Sequence, residues 1–356
     1  RRSTWRSTNH ASTTEWGKNM KLAFCGFRHP HIFTLYQHAQ QHADIEIVAA
    51  CEEDETTRGV LASEGKVDLT HQTLAALLAE VDCDTVAVGD YYAKRGALIL
   101  QALAAGKHVI VDKPVCTSLS ELDAIAQQLA AHNLKLGCML DMRDSPQAIG
   151  LRKLIRSGTI GEIHAISFGG QHPLMLGSRA SWYFEPGKHG GTINDIAIHA
   201  VDALPWITGL AFDKLYAART WNAFAPDYPH FHDAAQMMLS LDNGCGVLGD
   251  VSYFMPDSMG YALQLYWRMT FWGRKGVIET SLNSDQIMIA LDGEEQPRYE
   301  ALPTGNPGGY LQAFLDDIAG VDSADTLNTQ TILRSARVAL QIQAAATEGQ
   351  APRSLG

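Results

Sequence analysis

Apolar residues in the first third of this chain fall into short, near-continuous runs separated by stretches of helical spacing. Lys21 to Gly26, Ile45 to Cys51, Thr85 to Val88, His108 to Val111 and Lys135 to Leu140 have the pattern of strands covered on both faces. Between them, the spacing predicts helices from near Pro30 or His31 to His42, around Leu74 to Glu80, through Gly96 to Ala104 and from about Ser120 to His132. Strand and helix alternating in this way predict a right-handed, doubly wound α/β domain of about six parallel strands, spanning residues 20–141.

After Asp141 the pattern changes. A helix from about Ala148 to Ser157 stops at Gly158, and Ile163 to Gly169 opens a strand. Strand-like runs follow at Lys214 to Trp221, Ala234 to Leu241, Gly246 to Phe254, Leu263 to Trp272, Gly276 to Thr280 and Gln286 to Leu291. Turn signals such as Asp242-Asn243-Gly244 and Gly273-Arg274-Lys275-Gly276 join several of them, and Tyr310 to Ile318 and Thr329 to Thr347 have helical spacing. Residues 142–356 therefore read as an α+β domain with a large, mostly antiparallel sheet, one face on helices and the other open to a second copy in a dimer or tetramer. Arg1 to Asn19, rich in Ser, Thr and Arg without hydrophobic period, read as an extension or tag.

Composition narrows the function. A net charge of −11 over 356 residues argues against nucleic acid or an anionic membrane as the main partner. The six cysteines stand singly, with no metal-ligand or redox spacing, as expected of reduced core thiols in a cytoplasmic protein. No apolar run reaches the ~20 residues that a membrane-spanning helix needs.

Two stretches carry candidate chemistry. His108 to Val111 runs into Asp112-Lys113-Pro114, which puts Lys113 at the carboxyl end of a central strand, where ligands bind in open parallel sheets. Upstream, strand, turn, helix, strand and then Glu52 follow the order of a dinucleotide-binding unit. Only Gly26 keeps the glycine pattern; Arg28 and His31 hold the second and third glycine positions, so Arg28 could contact phosphate by its guanidinium, and the loop equally fits a turn with no nucleotide. Glu52 favours a free ribose 2′-hydroxyl, hence NAD rather than NADP. The second stretch is His189 to Asp202, where Asp195, His199 and Asp202 are spaced to share one stripe of an otherwise apolar helix. They fit catalytic groups, a core histidine bonded back to Asp195, or, less readily, a metal site with His189.

Together, Ala102 to Pro114 (A-L-x-A-G-K-H-V-x-x-[DE]-K-P) and Gly190 to Asp202 (G-G-x-x-x-D-x-x-x-H-x-x-D), in that order after a nucleotide-binding unit, resemble the glucose-fructose oxidoreductase, inositol dehydrogenase and MocA family (Gfo/Idh/MocA). The likeness extends from Met20 to the final helix. The chain departs from it in the phosphate loop, at Asp112, and at Asp90 to Arg95 in place of T-P-x-x-x-H.

The resemblance implies a Rossmann domain binding NAD, with cofactor contacts from Gly26, Arg28, His29, Glu52, Asp90, Asp112 and Lys113. It implies a cis Lys113-Pro114 peptide, no metal, and hydride transfer to or from a secondary alcohol of a sugar, cyclitol or related polyol. His199 would be the base, Lys113 would stabilise charge on the oxygen, and Asp195 would fix the imidazole or a substrate hydroxyl. Arg143, His172, Arg179, Trp182 and Tyr183, with His230 and His232 behind them, are the substrate candidates. A regulator or sensor that keeps the fold and binds nucleotide or sugar without turnover is the competing class.

Overall fold

The computed structural model describes residues 19–321, 326–349 and 353–355. All but the last residue of the expected N-terminal extension lie outside them.

The first sheet is wholly parallel, in the order β2-β1-β3-β4-β5. Its strands are β1 (Met20–Cys25), β2 (Ile45–Cys51), β3 (Thr85–Val88), β4 (His108–Val111) and β5 (Leu136–Cys138). There are five of them, one fewer than the repeat suggested. α1 (His31–Gln41), α2 (Glu55–Glu64), α3 (Leu74–Glu80), α4 (Tyr92–Ala104) and α5 (Leu119–His132) are the helices of this unit. α2 escaped the hydrophobic pattern because Leu61 is its one buried residue; Asp54 starts it by accepting from the Thr57 amide at 2.8 Å. The strands are mostly apolar because both faces are covered, with Lys21, Glu46 and His108 at less buried positions.

The second sheet holds nine strands in the order β13-β12-β11-β10-β6-β9-β8-β7-β14, antiparallel except for the β6–β9 pair. α6 (Pro146–Arg156) leads into β6 (Ile163–Pro173), and α7 (Ile198–Thr208) precedes β7 (Phe212–Trp221), β8 (Ala234–Leu241), β9 (Gly246–Met255), β10 (Arg268–Gly273), β11 (Gly276–Thr280) and β12 (Gln286–Leu291). β13 (Arg298–Ala301) is a polar edge strand that the alternation did not show, and β10 begins five residues later than expected, at Arg268. Gly244 closes the β8–β9 hairpin at φ 84°, a conformation glycine supplies without strain.

α8 (Gly309–Ile318) and α9 (Thr329–Glu348) return to the parallel sheet, where the Leu136 amide donates to Thr329 Oγ1 at 2.9 Å, and β14 (Arg353–Ser354) pairs with β7. α9 also packs on α7 and β7, so one buried core joins the two sheets. The other face of the large sheet exposes Met238 and Leu248 in a groove of about 810 Å³. Among the described residues no helix is long and apolar enough to cross a membrane.

The stretch expected to be a uniform helix from Gly190 to Asp202 is not one. Ile193–Ala197 forms a π-helical turn before α7 begins. The three side chains do not share partners: Asp195 bonds Lys113 just past β4, His199 packs on Trp267 just before β10, and Asp202 bonds Arg143 in the turn before α6 and Ser335 of α9.

Candidate active site

Arg95 builds the rim that carries Lys113. It lies on the buried stripe of α4 with Tyr92 and Ile99, and is itself fully buried. Its guanidinium donates to the carbonyls of Asp90 (2.8 Å), Asp112 (2.7 Å), Lys113 (2.5 Å) and Pro114 (3.1 Å), and pairs with Asp112 Oδ2 at 2.9 Å. One cation thus satisfies four backbone acceptors at a strand end that has no sheet partner for them. The Lys113-Pro114 peptide there is cis.

Lys113 is buried and points at Asp195, with Nζ 2.7 Å from Oδ1 and 2.9 Å from the Asp195 carbonyl. Tyr92 donates to the same Oδ1 at 2.6 Å; Tyr253 donates to Oδ2, and His189 Nε2 stands 3.3 Å from it. Four donor groups therefore surround one carboxylate. Burial pushes the Asp195 carboxyl up, but Lys113 and His189 outweigh it and hold the group well below its usual range.

His199 is different. It is buried and packs edge-on against Trp267, at 5.7 Å between ring centres, yet its Nδ1 has no hydrogen-bond partner. The back-bond to Asp195, one of the alternatives the spacing allowed, is not formed: the Asp195 oxygens are taken by Lys113, Tyr92, Tyr253 and His189. Asp141 Oδ1 is 3.8 Å from the nitrogen, too far for a hydrogen bond. Burial first, then the charge of Lys113, push its pKa well down, so the ring is neutral near pH 7. His172 shares the Trp267 box with Tyr261 and Tyr266, and burial lowers it to about 3.

On the other side of the rim, Gly26 turns at φ 79°, and a Cβ there would lie 2.7 Å from Asp90 Cβ. α1 begins without a side-chain cap or an acid in its first turn, which leaves its positive end available to an anion. Glu52 is held by the amides of Phe27 (2.6 Å) and Asp54 (2.8 Å), and burial raises its pKa. These features fit a dinucleotide. Arg28 pairs with Asp90 at 2.8 Å and lies over Tyr91, while Trp182 donates to the Arg28 carbonyl at 3.0 Å and stacks on Tyr183 at 4.1 Å. The Ser178 to His189 loop therefore closes onto the phosphate loop.

Several expected assignments need correction. His29 and Asp112 point inward: His29 Nδ1 bonds Asp112, its Nε2 is 3.1 Å from Tyr92 OH, and Asp112 has no exposed surface. They hold the rim instead of facing a cofactor. Arg143 is clamped by both oxygens of Asp202, at 2.5 and 2.6 Å, beside Trp206, and so is not in the cleft. Arg179 spends its donors on the Pro173 and Leu174 carbonyls and lies over Tyr183 and Tyr253. His232 bonds Thr220, away from this site. Sequence reasoning passed over Tyr92, Arg95, Asp141, Tyr253 and Trp267; the signal for Arg95 was a charge on an otherwise apolar helical stripe.

Two family descriptions match the chain. "Oxidoreductase family, NAD-binding Rossmann fold" matches residues 20–139, and "GFO/IDH/MocA C-terminal domain" matches 149–279, together more than two thirds of the sequence. The chain belongs to the Gfo/Idh/MocA oxidoreductase family.

This family member is 23% identical over 282 residues to inositol 2-dehydrogenase 1 of Saccharopolyspora erythraea, covering 78% of this chain and 79% of that one. It is 28% identical over 194 residues to inositol 2-dehydrogenase of Burkholderia cenocepacia, covering 53% of each. The matches span less than two thirds of the length of several curated relatives. An Agrobacterium radiobacter oxidoreductase solved with NAD+, L-tartaric acid and magnesium shares the fold, with TM-score 0.78 and 18% identity over 95% of this chain and 99% of that one.

Among the described residues, His29, His31 and Asp112 place three ligating atoms within 4.8 Å of one another. The Asp112 carboxylate already holds His29 and the Arg95 cation, which disfavours a dication there.

Proposed function

We propose that this Gfo/Idh/MocA member is an NAD-dependent dehydrogenase acting on a secondary alcohol of a sugar, cyclitol or related polyol, or on the matching ketone. The observation that carries this is geometric: Lys113, at the carboxyl end of a parallel strand, is fixed by Asp195 at 2.7 Å, and the buried His199 one turn further along the same chain segment keeps its Nδ1 without a hydrogen-bond partner. Bound NAD supplies the ring carbon that accepts hydride. The chain does the rest. His199 takes the hydroxyl proton, and Lys113 stabilises negative charge on the oxygen. The α1 N-terminus would hold the pyrophosphate and Glu52 the ribose, whose free 2′-hydroxyl it would accept and whose 2′-phosphate it would repel. The names of the inositol dehydrogenase relatives support a cyclitol or sugar.

Titration with NADH and NADPH, followed by NAD reduction with a panel of cyclitols and aldoses, tests this. Saturable NADH binding with turnover is expected. Tight sugar binding without turnover would instead support the sensor. The open face of the large sheet, with Leu248 58% exposed at its centre, is the proposed contact with a second copy. Light scattering should show a dimer or tetramer that Leu248→Lys breaks.

A further inference from the structure

Asp141 opens the short turn that follows β5, so it stands at the carboxyl end of the parallel sheet beside the strand that ends in Lys113. Its side chain is 53% exposed, yet burial pushes its carboxyl up while His31 and Lys113 pull it down. The buried His199 Nδ1, without a hydrogen-bond partner, is 3.8 Å from Asp141 Oδ1. The gap is too long for a direct bond, but an oxygen set to one side can reach both at about 2.8 Å.

We infer that Asp141 is a substrate-contacting carboxylate which, with His199, receives a hydroxyl of a neutral polyol and excludes sugar acids; the inference rests on the dehydrogenase reading of the same cleft. A hydroxyl can donate to the carboxylate and still bond the imidazole, whereas an ionised acid can do nothing at Asp141 but repel it. The neighbouring charges do not reverse this preference. Lys113 is matched by Asp195, Asp112 by Arg95, and Arg179 is turned to backbone carbonyls. His31, the remaining basic side chain on this rim, stands with its Nδ1 3.4 Å from Asp112 Oδ1.

The experiment compares myo-inositol, D-glucose and D-glucuronate as substrates of the full chain and of Asp141→Asn. Wild type should favour a neutral polyol over glucuronate. Asp141→Asn should lower kcat/KM for that polyol by about 10- to 100-fold, mostly through KM, the size of a lost bond to a charged group. It should also narrow the discrimination against glucuronate. A wild-type preference for glucuronate, or a loss under threefold in the variant, overturns the inference. If nothing is turned over with either nicotinamide, the dehydrogenase reading fails by itself, and calorimetric binding of the same three compounds decides this one: weaker myo-inositol binding in Asp141→Asn sustains it, and equal binding overturns it. Asp141→Ser serves as a second variant should the first unfold.

Discussion

Two carboxylate and nitrogen-base pairs sit in the cleft between the sheets and are treated in opposite ways. Asp195 and Lys113 are saturated, with four donor groups on one carboxylate and no exposed surface to speak of. Asp141 and His199 are left open, 3.8 Å apart, one reached by solvent and the other lacking a partner. A buried polar atom without a partner costs about 1–3 kcal/mol, so the open pair is kept at the expense of stability. The contrast teaches that Lys113 is held in place by its partners whereas His199 Nδ1 is left without one.

Breaking the saturated pair should have the largest effect. Lys113→Ala leaves the Asp195 carboxylate buried without its cation, so it should lose about 3–5 kcal/mol in urea unfolding as well as turnover by orders of magnitude. His199→Gln removes a ring that bonds nothing, so turnover should fall about 10²- to 10⁴-fold with stability changed by less than about 1 kcal/mol. Equal stability losses in the two variants would erase the distinction between them.

How much of this was legible in the chain follows from what each signal depends on. The five parallel strands show as apolar runs because they are covered on both faces, and Lys113 shows because Pro114 ends its strand. α2 and β13 do not show, since their residues are mostly exposed and carry no period. Asp195 and His199 were legible as residue types, but their separation was not: a π turn depends on packing against α9, where Gln343 accepts the Ile193 amide at 3.0 Å. Arg143 misled for a similar reason. Its partner, Asp202, lies 59 residues away in sequence.

The neutral histidines of the cleft give the comparison a pH dependence. Burial holds His29 and His172 at about 3, below the ~6.5 of an unfolded chain, so between those values the unfolded state binds protons that the native state refuses. Stability therefore falls as pH drops from 6.5, by about 1.4 kcal/mol per pH unit for each such ring, or about 2 kcal/mol apiece by pH 5. Asp195, whose pKa is depressed, contributes above the unfolded carboxylate value and loses that contribution only at lower pH. Above about pH 5 the histidines act without Asp195. In urea titrations between pH 5 and 6.5, His172→Asn should flatten the slope by about one histidine's share; an unchanged slope would mean that this ring is already protonated in the folded protein.

The smallest expected change sharpens the meaning of saturation. Tyr253 donates to Asp195 Oδ2 and also lies 3.0 Å from His189 Nε2. In Tyr253→Phe the carboxylate keeps Lys113 and Tyr92 on one oxygen and His189 within 3.3 Å of the other. No charge is left uncompensated, so the loss should be that of a single bond to a charged group, about 1.5–3 kcal/mol, with Lys113 still in place and turnover within about tenfold of wild type. A loss as large as that of Lys113→Ala would show that the donors act as one cooperative network and not as independent supports, which a Tyr92→Phe, Tyr253→Phe double-mutant cycle would then measure directly.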